Sequence, residues 1–301
     1  MRAKKIVSQF ISEMVDAVFA DASELRLINC SEQNSTYFFS HESKCVIIRK
    51  IKYKGDIEMN TESEPCVIHS TAKMLHPAET HCHTRETGPC GMVPAEYLVK
   101  TYLEEHYRYL FITDHMHEVN FEAKKLKGKS WEQLVDRYLL GYRTALKAAK
   151  GTDLIVMLGM EVTLRGKSPI DFLVYGEDEQ FIYDHPFLYD TDFQSFYKLI
   201  KENGFLSFEA HPYRYGGEPV QPICYDGIEI FNAHPRHLSR NQKAVQFAKD
   251  KDLYVISGSD VHADEDIARG GVMLPDGIAS GADFVRYIRE NGSPELIITF
   301  Q

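Results

Sequence analysis

Five short apolar, strand-like runs in this chain each end in residues that bind hard or borderline metal ions. That pattern constrains the fold more than any other feature of the sequence. The first run closes on Thr80-His81-Cys82-His83-Thr84. Phe111-Ile112-Thr113-Asp114-His115 ends in an acid and an imidazole, and Val156-Met157-Leu158-Gly159-Met160-Glu161 ends in a carboxylate. Phe208-Glu209-Ala210-His211-Pro212 and Val255-Ile256-Ser257-Gly258-Ser259-Asp260-Val261-His262 complete the set. A barrel whose strands each deliver one or two side chains to a common mouth builds a metal site in this way.

His81 and His83 are two apart, so on a strand they point to the same face, and Asp260 and His262 repeat the spacing. Imidazole with carboxylate and no thiolate suits zinc, manganese or iron. A single His-x-His pair says little: His115 and His117 form another one, and most such pairs are surface or satisfied core histidines. The ordered set of five strand ends carries the inference.

At these residues the chain resembles the PHP superfamily, named for its polymerase and histidinol-phosphatase members. The matching pieces are His-x-His-Thr at 81–84, Thr-Asp-His at 113–115, Gly-x-Glu at 159–161, Ala-His-Pro at 210–212 and Ser-Asp-x-His at 259–262. The match runs from about residue 77 to the C-terminus. It implies a distorted seven-stranded β/α barrel, two or three divalent metal ions (Zn, Mn or Fe) and hydrolysis of a phosphate ester by a metal-bound hydroxide. It further implies one ion held by His81, His83, Glu161 and Asp260, a second by Glu161 with His211, and a third involving His115 and His262. Asp114, beside a ligand, is expected to serve as a hydrogen-bonding support.

The chain departs from that pattern in two places. Many members carry Ser-Asp-Gly shortly after the first motif, whereas this chain reads Arg85-Glu86-Thr87-Gly88, which leaves Glu86 as the acid in reach. The fourth strand often carries a histidine ligand, and here Asp171 or its rival Asp178 stands in its place. Arg85, Arg214 and Arg269 follow ligand motifs, where a guanidinium can clamp a phosphate bidentately. Asn232, at the end of Glu229-Ile230-Phe231-Asn232, is a candidate substrate contact, and His234 and His237 are candidate general acids in the loop beyond it.

Composition narrows the substrate. A net charge of −10 disfavours a long nucleic-acid track, while bound cations would reverse the sign of a pocket for a small phosphorylated substrate. The six cysteines show no Cys-x-x-Cys pair, which suits a reduced cytoplasmic protein. Cys82 alternates away from its histidine neighbours and is expected to pack, and Cys90 lies in the loop beyond the first strand. Glu13 and Asp16 interrupt any secretory-type apolar stretch, and no run approaches membrane-spanning length.

Residues 1–74 read as a small α+β appendage, with a helix at 4–20, strands at 24–30, 35–40 and 44–53, and a polar loop from Gly55 to Pro65. Residues 75–301 read as the barrel. Its strands are expected at 78–83, 108–113, 153–158, 171–175, 204–209, 227–232 and 252–258, and its helices at 94–107, 130–150, 191–203, 238–250 and 281–291. Pro94 suits the first helix start, and Asp192 and Ser239 suit two others. The expected activity is hydrolysis of a small phosphomonoester. An amidohydrolase-type barrel is the enzymatic alternative, although its bridging lysine has no clear counterpart. A non-catalytic, metal-holding PHP module is the other.

Overall fold

The structure, a computed structural model, describes residues 44–47, 74–123, 126–165, 170–220, 224–249 and 251–300. The helix expected at 4–20, the strands at 24–30 and 35–40, and the loop at 55–65 lie outside these residues. The first half contains β1 (Lys44–Ile47), β2 (Leu75–Glu79), α1 (Ala95–Glu104), β3 (Tyr109–Ile112), β4 (His115–Met116), α2 (Glu118–Phe121), α3 (Trp131–Tyr138), α4 (Leu140–Ala148) and β5 (Ile155–Leu164). The second half contains β6 (Ile170–Tyr175), α5 (Glu179–Asp184), α6 (Phe193–Glu202), β7 (Leu206–Glu209), β8 (Gly227–Asn232), α7 (Asn241–Lys249), β9 (Tyr254–Gly258), β10 (Gly270–Pro275), α8 (Gly281–Asn291) and β11 (Glu295–Phe300).

Seven strands stand side by side in the order β2-β3-β5-β6-β7-β8-β9. Beyond β9 the chain returns to the first strand: His83 N–H donates to the Val261 carbonyl (3.1 Å) and Val261 N–H to the His81 carbonyl (3.2 Å). The result is a nearly closed, distorted α/β barrel whose seam joins the first candidate ligand motif to the last. β10, β11 and β1 extend the sheet beyond β2 in antiparallel steps.

The alternating pattern sorts side chains into two layers. Tyr109 and Phe111 of β3 join the main apolar cluster, where Phe111, Tyr175 and Phe284 meet with ring centroids 4.9–5.1 Å apart. Leu110 and Ile112 face the other way, into a second layer with α1. Cys82 belongs to that outer layer and packs as expected. The buried face of α1 is Ala95, Leu98, Val99 and Tyr102, immediately after Pro94. Asp192 caps α6 by accepting from the amides of Gln194 and Ser195, both at 3.0 Å.

Three expectations need correction. Strands alternating with helices are expected to run parallel, and this fails at β6, which runs antiparallel to both β5 and β7. A parallel return needs a crossover of roughly a dozen residues, and only five residues separate Leu164 from Ile170. The helix expected at 130–150 breaks at Leu139 into α3 and α4. Ser239 does not cap α7: its hydroxyl donates to Asn232 Oδ1 (3.1 Å), and the helix begins at Asn241.

Candidate metal centre

Glu161 stands at the centre of the barrel mouth, completely buried, with four imidazoles turned toward it. His115 Nδ1 lies 2.8 Å from Oε2 and His83 Nε2 lies 3.2 Å from it. His211 Nε2 lies 3.0 Å from Oε1 and His81 Nε2 3.4 Å from it. Asp260 forms a second focus, with His262 Nε2 at 2.9 Å and His81 and His83 Nε2 both at 3.4 Å from Oδ1. Histidines from just beyond the ends of four strands, β2, β3, β7 and β9, therefore converge on two carboxylates.

Local structure explains how these side chains arrive. β2 ends in an extended segment held by Glu79, whose Oε1 accepts from the amides of Thr80 (3.0 Å), His81 (2.9 Å) and Ser259 (2.9 Å). Tyr102 donates to its other oxygen at 2.6 Å, so one buried carboxylate ties β2 to the end of β9. Asp114 does similar work on the far side of His83, accepting from Thr84 N (2.6 Å), Thr84 Oγ1 (2.7 Å) and Thr87 Oγ1 (2.7 Å). His211 and Asp260 hold left-handed backbone, with φ of 30° and 55°. Non-glycine residues adopt that region at a cost of about 1–3 kcal/mol, and here it swings both side chains into the mouth.

The electrostatics fit cation binding. Burial alone would raise the Glu161 carboxyl, but the imidazoles of His115 and His81, with contacts from His115 and His211, hold it well below the usual carboxylate range. Asp260 behaves likewise: burial opposes ionisation, and His81, His262 and His83 overcome it. His81 Nε2, His83 Nδ1 and Nε2, His115 Nδ1, Glu161 Oε2 and Asp260 Oδ1 are all buried, and although some lie close to one another, none makes a well-aligned hydrogen bond among the described residues. Buried polar atoms are rarely left so, and a cluster of six in one place is what ligand atoms look like before a cation joins them. Four sets of ligand atoms each lie within 4.8 Å of one another: His81, His83 and Asp260; His81, Glu161 and His211; His83, His115 and His262; and His115, Glu161 and Asp171.

Comparison with known proteins bears on the fold. The PHP-associated family model, PHP_C, matches residues 239–292. The fold is similar to that of a two-domain protein from Bacteroides vulgatus ATCC 8482 containing a predicted PHP-like metal-dependent phosphoesterase, with a TM-score of 0.54 and 17% identity. The chain is thus similar to PHP proteins over that segment and in its fold. That alignment covers 76% of this chain and 65% of the Bacteroides protein, so the chain spans about two-thirds of its length. PsfC from Pseudomonas syringae PB-5123 is similar in fold at a TM-score of 0.50 and 15% identity, over 75% of this chain and 91% of that one. No curated protein matches the chain.

Within the barrel the remaining candidates are distributed unevenly. Glu86 is not brought to the cluster. Its carboxylate accepts from Ala95 N at 3.1 and 3.2 Å and caps α1, which satisfies an otherwise orphaned helix amide. The inverted β6 decides between the two aspartates: Asp171 starts that strand at the mouth, with Oδ2 3.7 Å from His211 Nε2. Asp178 lies past the opposite end and caps α5 through Phe181 N (2.9 Å). Asn232 is committed elsewhere, because its amide donates to Glu229 (3.0 Å) and Asp260 (3.1 Å) and its oxygen accepts from His234 N and Ser239. It supports Asp260 and has no hydrogen left for a substrate. Arg85 is exposed, and Arg269 reaches the Glu265 carbonyl (3.3 Å). Arg214 is the arginine at the centre, with Nη1 3.2 Å from Asp260 Oδ2 and Nη2 2.9 Å from His237 Nε2.

Sequence reasoning missed three supports. Glu229 accepts from His211 N (2.9 Å) and Asn232 Nδ2 and stands 3.0 Å from His81 Nδ1. Glu79 is the clamp already described. Asp266, buried at the base of the last ligand loop, accepts from His262 N (2.9 Å) and Ala263 N (2.7 Å) and holds Arg236 at 2.8 and 2.6 Å. A signal existed for the first two: an acid within an otherwise apolar strand has to be paired or functional. His234 and His237 are not solvated loop residues, since their rings stack at 3.7 Å beside His262.

Proposed function

We propose that this chain is a metal-dependent phosphoesterase acting on a small phosphomonoester, and that residues 75–301 carry the activity. The observation that supports this most directly is the fully buried Glu161 met by four imidazoles, with nitrogen and oxygen atoms around it that lack well-aligned hydrogen bonds. His81, His83, His115, Glu161, His211, Asp260 and His262 would hold two or three divalent ions, with Asp171 as an added oxygen donor. Such ions, when bound, acidify water and neutralise phosphoryl charge.

The chain's own residues supply the rest. Glu161 has separate groups of imidazoles on its two oxygens, which suits a carboxylate shared between two cations. Arg214, fixed by Asp260, presents a guanidinium at the rim of the cluster, where a planar cation can meet phosphoryl oxygens. Glu79, Asp114, Glu229 and Asp266 position backbone and side-chain atoms and take no part in bonding changes. Cys82, Cys90 and Cys224 are free, which accords with a reduced cytoplasmic location. No helix among the described residues is long and apolar enough to cross a membrane.

Residues 1–74 would form an appendage whose Lys44–Ile47 strand adds to the outer sheet against β11. A panel of phosphomonoesters and phosphodiesters, assayed with protein loaded with manganese or zinc, tests the whole reading. Turnover of a small phosphomonoester that stops with chelator is expected. Absence of any phosphomonoester turnover by metal-loaded protein, with efficient breakdown of polynucleotides, would overturn it.

A further inference from the structure

We infer that Thr163 and Asp171 make the β6 side of the metal centre an oxygen-rich position that selects manganese, so that the loaded protein carries manganese there beside zinc elsewhere. This inference rests on the metal-dependent reading of the site. The four groups of candidate ligand atoms differ in chemistry. His83, His115 and His262 offer three nitrogens. His81, His83 and Asp260 offer two nitrogens and an oxygen, as do His81, Glu161 and His211. Of the four groups, only His115, Glu161 and Asp171 reverse the balance, with two carboxylates and one imidazole. Imidazole suits zinc, whereas carboxylate suits manganese. Zinc binds a mixed nitrogen and oxygen site more tightly than manganese does, and each oxygen that replaces a nitrogen narrows that lead.

The pairing of β5 with β6 fixes this position. Thr163 stands directly opposite Asp171 in the antiparallel register. Glu161, two residues before Thr163, shares its face of the strand. The Thr163 hydroxyl donates to Asp171 Oδ1 at 2.5 Å. A carboxylate held through one oxygen offers the other in a set direction. Asp171 Oδ2 lies 3.7 Å from His211 Nε2, which itself lies 3.0 Å from Glu161 Oε1. The longer spacing exceeds a hydrogen bond and suits two ligand atoms that meet one ion at about 2.1 Å each. Asp171 is thus the residue that sets the preference, and Thr163 is a positioning residue that aims it.

The test loads the full chain from buffers of increasing manganese-to-zinc ratio. Both ions are counted by elemental analysis, and bound manganese is followed by electron paramagnetic resonance. The wild type should take up manganese at one position while zinc still fills the others. Asp171→His should need at least about tenfold more manganese for the same uptake, with the total ion count unchanged. Asp171→Asn, which keeps the shape but loses the charge, should lose the manganese signal and keep the zinc. Thr163→Val should weaken manganese binding by about 10–100-fold, and Thr163→Ser should restore it. The asparagine and valine variants, close in shape to the original residues, decide the matter if the histidine variant does not fold. A wild type filled by zinc alone at every ratio overturns the inference and leaves the metal-dependent reading standing. So does a wild-type partition in the folded Asp171 variants. Fewer than one ion of either kind per wild-type chain overturns that reading and this inference with it.

Discussion

Glu229 Oε1 lies 3.0 Å from His81 Nδ1, both groups completely buried. The carboxylate takes the Nδ1 hydrogen and leaves the Nε2 lone pair directed between Glu161 and Asp260, which is how a supporting acid fixes a ligand's tautomer. The same carboxylate fixes the His211 backbone and, through Asn232, the orientation of Asp260. Glu229→Ala should therefore weaken metal affinity by about 10–100-fold, read by metal titration calorimetry. Undiminished affinity would show that His81 needs no partner.

Glu161 and His262 should differ in how much metal they retain. Glu161 meets His81, His83, His115 and His211, whereas His262 meets Asp260 and the outer histidine group. Glu161→Ala should lose more ions per chain than His262→Ala in elemental analysis after identical reconstitution. Equal losses would argue against a shared carboxylate.

Gly258 ends β9 directly under His81. A Cβ there would lie 2.5 Å from His81 Cβ and 2.8 Å from Glu229 Oε1. Gly258→Ala should destabilise the fold by about 1–3 kcal/mol, the usual scale of overpacking, and should lower metal content at the same time. Denaturant melts beside elemental analysis would separate the two effects. A variant with wild-type stability and metal would mean that β9 can shift freely.

Glu177 offers a pH test away from the metal centre. Burial, and then the neighbouring Asp178 charge, raise its carboxyl well above the usual value, and neither oxygen has a partner among the described residues. Between the ordinary glutamate value of about 4 and the raised folded value, the folded state holds a proton that the unfolded state has released. Stability from this group is thus full below about pH 4 and falls as pH rises toward the folded value. Denaturation of the wild type from about pH 5 to pH 8 should show this slope, and Glu177→Gln should flatten it.

Salt should matter little to turnover. The net charge of −10 disfavours a long polyanion, and a small ester would engage the ions and Arg214 inside the mouth. A rate that changes less than about threefold between 50 and 200 mM salt is expected, whereas phosphate-tracking proteins lose orders of magnitude in affinity over that range. A steep salt dependence would point to a polynucleotide substrate.

The candidate ligand motifs stand out in the sequence because each lies at a strand end and strand periodicity is local. His81 and His83 share a face with Cys82 opposed, and the strand count followed from the alternation of apolar runs and helices. β10 and β11 went unread, since a short apolar run carries no mark of the edge it will join. Asp171 and Asp178 were indistinguishable for a related reason: which of them reaches the mouth depends on the direction of β6, and that follows from a connection too short for a parallel crossover.

The sequence by itself determined which residue types stand at the strand ends, and so the chemistry available to the mouth. Only the tertiary structure decided their partners. Glu86 and Glu229 are both glutamates near ligand motifs, yet one caps α1 and the other grips His81, because the barrel seam and β8 set which backbone amides and imidazoles lie within hydrogen-bond reach. A side chain's identity is local, whereas the three ångströms that give it a role are spanned between segments 148 residues apart.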